Sequence, residues 1–306
     1  MDRREFFGHS VLTAGLAATG TLGLSEAFGD MKTATSDARK TAKLRLSSQL
    51  GVAPGKSEEE KLANIKKYGC EAVEYHGSVV GQGANYRKMA DDAGLKVSVI
   101  CWGSHKGDLC KEDKANIQLV RDDLKKALET AGELGAQGVI YVPAFAKETT
   151  LTNQEIRQRC LDFLPEMGQF AKKCNTSVIL EPLCRLEAYF LRQVADGASI
   201  ARDCGGPDSG IGVMGDFYHM DLEETSDMGA FISGGPYLKH VHLAGGKEEP
   251  RRKLPGQNVT RFVDGFRGLK YIGYTGFCSF ECGVVGEREV EFPKAIAFLR
   301  KEWDEA

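Results

Sequence analysis

The chain has 306 residues, with 40 Lys and Arg against 43 Asp and Glu, so its formal net charge is −3. Its 42 % hydrophobic and 27 % charged residues are typical of a globular protein and exclude a disordered, collagen-like or coiled-coil chain. The near-neutral charge also disfavours a protein that binds nucleic acid, because such proteins carry a basic stripe.

The N-terminal residues are typical of an export signal. The pair Arg3 and Arg4 precedes a weakly apolar run over 11–24, and small residues follow up to Ala27. This arrangement resembles a twin-arginine signal, which the twin-arginine export machinery reads on proteins that are already folded. The apolar run is too short and too rich in Gly to span about 30 Å of hydrocarbon, which disfavours a stable membrane anchor. We predict a signal peptide over 1–27 and a periplasmic location.

After a polar linker over 28–43, short apolar runs rich in β-branched residues alternate with helical stretches. Eight such runs predict strands at 44–50, 72–76, 96–102, 138–143, 177–182, 211–216, 238–244 and 276–282. Eight strand–helix units in about 260 residues predict an α/β fold with a single closed (β/α)8 TIM barrel over 44–306. A doubly wound open sheet is the alternative, but the segment 51–55 lacks the glycine-rich phosphate turn of that fold.

The stretches between the strands carry helix signals. Ser57 and Glu60 have the spacing of a capping box, and Gly69 is placed to end the helix that follows. Apolar residues recur at helical spacing over 115–134 and over 290–303. These signals place the helices between the strands, as the barrel requires.

The nine cysteines form neither a recognisable disulfide framework nor a zinc site. Their number is odd, and no pair has the C-x-x-C spacing of a thiolate zinc site. A protein that folds before export needs no disulfides. We therefore predict that the cysteines pack as small apolar groups.

Catalytic side chains of such barrels lie at the carboxyl ends of the strands. The ends of strands five to eight each carry one residue of a metal-ligating type: Glu181, Asp216, His242 and Glu281. Three carboxylates and one imidazole form a hard, oxygen-rich set that favours a divalent metal, Mn²⁺ before Mg²⁺ or Co²⁺, over structural zinc. A six-coordinate ion held by these four residues keeps about two positions open for substrate oxygens.

Each of these residues also has a structural explanation. A lone glutamate at a strand end is often a salt-bridge partner, and Asp216 has the position of a helix cap. His240, two residues before His242, is interpreted as a buried structural histidine. Four ligand types at four consecutive strand ends nevertheless favour a cation, because acids buried together without one are costly.

Motifs in the second half of the chain carry a resemblance to a known family. They read EPLCRLE at 181–187, DFYHMDLEE at 216–224, HVHLA at 240–244 with RKLPG at 252–256, and FE at 280–281. As a set they resemble the motifs of D-tagatose/D-psicose 3-epimerases, which belong to the xylose-isomerase-like TIM-barrel superfamily. The chain departs from that pattern at Cys184, where the family has Asn, and in a longer loop after His242.

The resemblance implies roles for individual residues. Glu181 and Glu281 would act as the acid/base pair on opposite faces of the substrate, besides binding the metal together with Asp216 and His242. Three further residues would hold substrate oxygens: Glu187, His219 and Arg252. By position alone, Trp102 and His105 just after the third strand are further candidates, as a stacking wall and a hydrogen-bonding group for a sugar.

These expectations define a predicted function with alternatives. Proton abstraction next to a carbonyl, through an enediolate, would make the chain a sugar isomerase or epimerase acting on an unphosphorylated keto-sugar. A lyase or dehydratase acting on a keto-sugar or 3-keto-glycoside would use the same first step, and a non-catalytic sugar-binding barrel is an alternative of another class. A DNA-repair endonuclease is disfavoured, because the segment after strand seven lacks the histidine that its zinc cluster needs. The oligomeric state stays open, a homo-oligomer included.

Overall fold

A computed structural model describes residues 41–103, 109–111, 113–145, 149–249 and 251–306. The predicted signal peptide and nearly all of the predicted linker lie outside these residues, as does His105. Within the described ranges, no helix combines the length and the apolar character that a membrane crossing requires.

Eight parallel strands close into a barrel in chain order, with β1 paired to both β2 and β8. The strands are β1 (Arg45–Gln49), β2 (Ala72–His76), β3 (Lys96–Gly103), β4 (Val139–Tyr141), β5 (Val178–Leu180), β6 (Ile211–Asp216), β7 (Leu238–Leu243) and β8 (Phe277–Phe280). The prediction of a single (β/α)8 TIM barrel is confirmed. Strands β4, β5 and β8 are shorter than predicted, so Glu181 and Glu281 each follow directly after a strand.

Helices fill the connections between the strands. They are α1 (Glu58–Lys67), α2 (Gly83–Asp92), α3 (Lys114–Leu134), α4 (Asn153–Lys173), α5 (Val194–Asp203), α6 (Phe217–Glu223), α7 (Asp227–Gly234), α8 (Val263–Tyr271) and α9 (Arg288–Glu305), with short 3-10 turns at Gly77–Val79 and Gly235–Tyr237. Half of the predicted capping box forms at α1. Ser57 Oγ accepts from the backbone N–H of Glu60 (3.2 Å), but the Glu60 carboxylate accepts from Lys56 N (2.7 Å) instead of Ser57.

The inside of the barrel is divided into an apolar and a polar sector. Val99, Ile140, Ile179 and Met214 pack together as the apolar sector. Buried polar side chains from β1, β2, β3 and β7 form the other sector: Ser47, Gln49, Glu74, Ser98 and His240. Side chains that alternate along each strand put these residues on the inner face, and the functional site lies where the polar sector reaches the carboxyl ends of the strands.

All nine cysteines fall within the described residues, and all are free thiols. Five are buried and four are partly buried. This agrees with the prediction that they pack as small apolar groups rather than form a disulfide framework.

Candidate active site

Four ligand-type side chains meet at the carboxyl ends of β5 to β8. Glu181 follows β5, Asp216 ends β6, His242 lies in β7 and Glu281 follows β8. One ligand atom from each lies within 4.8 Å of those of the other three. His242 Nδ1 is 2.8 Å from Glu281 Oε2, 3.8 Å from Glu181 Oε1 and 3.9 Å from Asp216 Oδ2. The structure thus brings together the four residues that the sequence predicts as metal ligands.

Strand register explains why these side chains converge. Asp216 of β6 is the direct partner of His242 of β7, and His242 is the partner of Ser279 in β8, two residues before Glu281. Asp216 also caps α6, because its Oδ1 accepts from Tyr218 N (2.9 Å). Oδ1 of Asp216 therefore caps the helix, and Oδ2 is the oxygen that faces His242.

Burial and neighbouring charges move the pKa values of the cluster apart. Burial, together with the Glu281 carboxylate, raises the pKa of Glu181. Burial acts in the same direction on Glu281, but the charges of His242 and Arg252 outweigh it and hold the pKa of that carboxyl below its ordinary value. Burial lowers the pKa of His242, but Glu74 and Glu281 outweigh it and raise that pKa well above its usual range. Two carboxyl groups with opposite shifts can serve as an acid and a base.

The donor set fits a divalent cation. His242 Nδ1 is buried, and apart from its 2.8 Å ion-pair contact with Glu281 it forms no hydrogen bond to any described residue. Three carboxylates face the same nitrogen, and a cation among them would offset both their mutual repulsion and the cost of burying them. One imidazole with three carboxylates suits Mn²⁺, Mg²⁺ or Co²⁺.

Arg252 brings a guanidinium to the open side of this cluster. Its backbone is held in the left-handed region, with φ of 52°. Arg252 N donates to Gly245 O (2.6 Å) and Gly283 N donates to Arg252 O (2.8 Å), so the loops after β7 and β8 hold it from both sides. Its Nη2 lies 3.4 Å from Asp216 Oδ2 and contacts the Glu281 carboxylate. A non-glycine residue held in this conformation is typical of a functional position.

His219 offers a hydrogen-bond donor next to Arg252. The backbone N–H of Cys184 donates to His219 Nδ1 (3.0 Å), so a neutral His219 carries its proton on Nε2. Burial lowers the pKa of His219, which favours this neutral form. Arg252 Nη1 lies 3.3 Å from His219 Nε2, so the two donors converge. One substrate oxygen could therefore accept a hydrogen bond from each of them. Glu187 Oε1 is 3.9 Å from the same Nη1 and adds an acceptor.

Trp102 and His105 are the remaining predicted substrate residues. Trp102 is buried, with its ring against that of Tyr141 (centroids 6.0 Å apart), and its role as a stacking wall stays a prediction. His105 lies outside the described residues, so its role stays a prediction.

Sequence reasoning missed Glu74. This fully buried residue of β2 contacts Nε2 of His240 (2.8 Å) and Nε2 of His242 (3.0 Å) across the barrel. His240 lies in this contact and is not one of the four converging ligands, in keeping with its interpretation as a structural histidine. The available signal is an acid at the centre of an otherwise apolar strand, which needs a buried partner.

Curated relatives are sugar epimerases. The chain is 27 % identical over 255 residues to 3-dehydro-D-guloside 4-epimerase of Escherichia coli strain K12, covering 79 % of this chain and 93 % of the relative. It is 31 % identical over 199 residues to D-psicose 3-epimerase of Agrobacterium fabrum strain C58, covering 63 % of this chain and 66 % of the relative. These similarities support an enzyme of the isomerase class.

Solved structures and a family model agree with the fold. The crystal structure of 3-keto-D-glucoside 4-epimerase from E. coli has a TM-score of 0.75 at 23 % identity, covering 85 % of this chain and 100 % of the other. D-psicose 3-epimerase from Clostridium cellulolyticum H10, crystallised with D-tagatose, has a TM-score of 0.73 at 19 % identity, covering 85 % and 99 %. The model of the xylose isomerase-like TIM barrel family matches residues 62–302. The chain belongs to the xylose isomerase-like TIM barrel family.

Proposed function

We propose that this chain is a divalent-metal-dependent sugar epimerase that inverts the carbon next to a carbonyl. The observation that carries the proposal is the pair Glu181 and Glu281. These two largely buried carboxyl groups follow directly after β5 and β8, approach the same histidine nitrogen, and have pKa values displaced in opposite directions. Such a pair can remove a proton and return one, as epimerisation requires.

The residues around this pair have separate tasks. One carboxylate removes the proton next to the carbonyl, and the other returns a proton on the opposite face. Arg252 and His219 donate hydrogen bonds to substrate oxygens and stabilise the negative charge that develops on them. When bound by Glu181, Asp216, His242 and Glu281, a divalent ion supplies the charge that makes the abstracted proton more acidic.

The substrate class follows from the relatives and from the charges of the site. One relative is named for a 4-epimerisation of a 3-dehydro-guloside and another for a 3-epimerisation of D-psicose. Both reactions invert a carbon beside a carbonyl, so the same pair of carboxyl groups could catalyse either reaction. Three carboxylates at the site disfavour a phosphorylated substrate. We assign an unphosphorylated keto-sugar or keto-glycoside. The reported relatives are epimerases, which gives the lyase alternative no support.

Export is part of the proposal and rests on the N-terminal sequence. The pair Arg3 and Arg4 before the apolar run supports the twin-arginine route. Substitution of both by Lys should retain the protein in the cytoplasm, as measured by fractionation of the producing cells, whereas Arg39→Lys in the linker should leave export unchanged. Equal export of both variants would contradict the twin-arginine route.

Proton exchange tests the chemistry directly. The Mn²⁺-loaded protein is incubated in deuterated water with a panel of ketoses and 3-keto-glycosides, and the products are read by NMR. We expect deuterium at one carbon next to the carbonyl, together with inversion of that carbon. Glu181→Gln and Glu281→Gln should each lower the rate of inversion by roughly 10²- to 10⁴-fold.

A matched control separates chemistry from folding. Glu302 in α9 is a buried glutamate away from the cluster, where it accepts from Arg261 Nε (2.6 Å) and Phe262 N (2.9 Å). Glu302→Gln should keep the wild-type exchange rate per folded molecule. Inversion at the wild-type rate in Glu281→Gln would contradict the assignment, and loss of a substituent instead of inversion would identify a lyase.

A further inference from the structure

The Glu74 carboxylate is the meeting point of three side chains in the polar sector. Gln49 Nε2 donates to its Oε1 (2.8 Å), His242 Nε2 contacts the same oxygen (3.0 Å), and His240 Nε2 contacts Oε2 (2.8 Å). Glu74, His240 and His242 are fully buried. An ionised carboxylate only accepts, so it holds all three contacts when both histidines present Nε2–H.

We infer that Glu74 is a positioning residue: it fixes the ring orientation and tautomer of His242 so that Nδ1, and not Nε2, faces the three carboxylates. The inference rests on the proposed metal-dependent function. A histidine binds a metal through the lone pair of one nitrogen, and the hydrogen bond of the other nitrogen selects which one. In this chain the selecting partner comes from β2, which is separated from β7 by β8 and β1 around the barrel.

The cost of this arrangement indicates that it is functional. Burying a carboxylate is expensive, and a packed apolar interior is available as an alternative. The same barrel fills its other sector with Val99, Ile140, Ile179 and Met214. A polar network that crosses the interior to reach one metal-ligand histidine is explained by its effect on that histidine rather than by core stability.

The contact also fixes the ring against rotation. If the ring of His242 turned over, Nδ1 would leave the three carboxylates and Nε2–H would lose its acceptor in a buried position. His240, held by the other oxygen of Glu74, keeps that carboxylate in place. The four ligand-type groups are therefore pre-positioned before an ion binds.

Ring-proton NMR tests the inference without any variant. The chain has six histidines, so labelling with ¹⁵N-histidine gives a tractable spectrum. We expect a slowly exchanging Nε2–H for His242 in the metal-free protein, and in the Mg²⁺-loaded protein a proton on Nε2 with none on Nδ1. A His242 whose Nε2 lacks a proton, or whose Nε2–H exchanges as fast as that of an exposed histidine, overturns the inference.

Metal affinity provides the second measurement. Glu74→Gln keeps the shape of the side chain but leaves one acceptor oxygen for three donors, so the Kd for Mn²⁺ measured by calorimetry should rise about 10- to 100-fold. Glu302→Gln, the buried control, should keep the wild-type Kd. A folded Glu74→Gln protein with the wild-type Kd overturns the inference.

The two measurements separate this inference from the proposed function. A wild-type protein that binds no divalent ion refutes metal dependence, and the Nε2–H signal of the metal-free protein still decides the role of Glu74. A protein that binds Mn²⁺ through a His242 without Nε2–H refutes the role of Glu74 and leaves the proposed function standing.

Discussion

Arg252 shows how one side chain depends on two loops. The longer loop after β7 is closed at its base by an antiparallel bridge between Gly245 and Lys253, and Lys253 also bridges to Gly283 after β8. Arg252 directly precedes Lys253 and is itself bonded through its backbone to Gly245 and Gly283, which explains how its left-handed backbone is maintained. The loop insertion therefore leaves the guanidinium at the cluster, where it contacts Asp216 and Glu281.

Replacing Arg252 by Lys should impair turnover more than folding. An ammonium keeps the charge but cannot reach His219, Asp216 and Glu281 with a planar fork. Loss of one charge-assisted hydrogen bond is worth about 1.5–3 kcal/mol, so kcat/KM should fall roughly ten- to hundredfold. The neighbouring Arg251→Lys is the matched control and should stay near wild type in the same epimerisation assay. Equal losses in both variants would contradict the assignment of Arg252.

Single residues differ in how far the sequence predicts them. Glu181 and Glu281 can be predicted because a barrel places strand ends at one rim, and the motifs around them mark the family. Glu74 cannot, because it lies inside a strand and its partner His240 is 166 residues away in the chain. A pairing across the barrel interior depends on strand tilt and closure, which no local pattern encodes.

Asp227, the first residue of α7, should make stability depend on pH. Burial, with Asp221 next in effect, raises its pKa to about 7, while Lys247 acts in the opposite direction and Asp264 and Glu224 add to the rise. Because this pKa exceeds the value of 3.8 for an unperturbed Asp, the folded protein holds a proton that the unfolded chain has lost. Stability from this group is therefore full below about pH 4 and is lost as the pH rises toward about 7.

Asp227→Asn tests this sign. The variant removes the cost of ionising a buried carboxyl. The free energy of unfolding of the variant minus that of wild type should therefore increase by on the order of 1 to 3 kcal/mol when the pH is raised from about 5 to about 8. Urea unfolding at both pH values measures the difference. Asp304→Asn, at an exposed position of α9, should leave the pH dependence unchanged. An Asp227→Asn curve parallel to that of wild type would contradict the raised pKa.

At the scale of elements, the sequence predicts which segments form strands better than where they end. All eight strands occur at their predicted places, because apolar runs between polar helical stretches are a strong pattern. The predicted runs at 138–143 and 177–182 contain strands of only three residues, Val139–Tyr141 and Val178–Leu180. Strand ends depend on the length of the paired neighbours, so an apolar run overestimates the strand.

Close packing between α8 and the neighbouring helices supports the end of β6. A Cβ on Gly265 would lie 2.5 Å from Phe217 Cζ and 2.9 Å from Phe231 Cε2. Gly265→Ala should therefore lower the free energy of unfolding by about 1–3 kcal/mol through overpacking. Because Phe217 follows Asp216 directly, a displaced ring should also weaken Mn²⁺ binding. Urea unfolding and calorimetric titration measure the two effects.

Gly229→Ala in α7 is the control for the packing argument. A Cβ there meets Ser226 at 3.6 Å, an ordinary contact. Alanine is the better helix former, so this variant should be neutral or gain up to about 1 kcal/mol. A loss equal to that of Gly265→Ala would mean that glycine is required in these helices for another reason than close approach.

At the scale of the whole molecule, a chain of net charge −3 concentrates buried acids at one end of its barrel. Glu181, Asp216 and Glu281 lie there, and Glu74 contacts His242 from inside the barrel. Arg252 is the guanidinium that reaches this group within the part of the chain that the structure describes. Without a cation the cluster carries a cost of burial and repulsion that must reduce the stability of the fold. If the chain binds a divalent ion as proposed, metal binding and folding are coupled.

This coupling predicts that divalent ions raise the thermal stability of the barrel. An ion present at a hundred times its Kd adds about 2.7 kcal/mol, which for a domain of this size corresponds to roughly 5 to 10 °C in Tm. Differential scanning calorimetry with and without Mn²⁺ measures the shift. Asp216→Asn, which removes one ligand, should abolish most of it, whereas Asp208→Asn at an exposed loop position should keep it. If Asp216→Asn shows the wild-type shift, the stabilising ion binds outside this cluster.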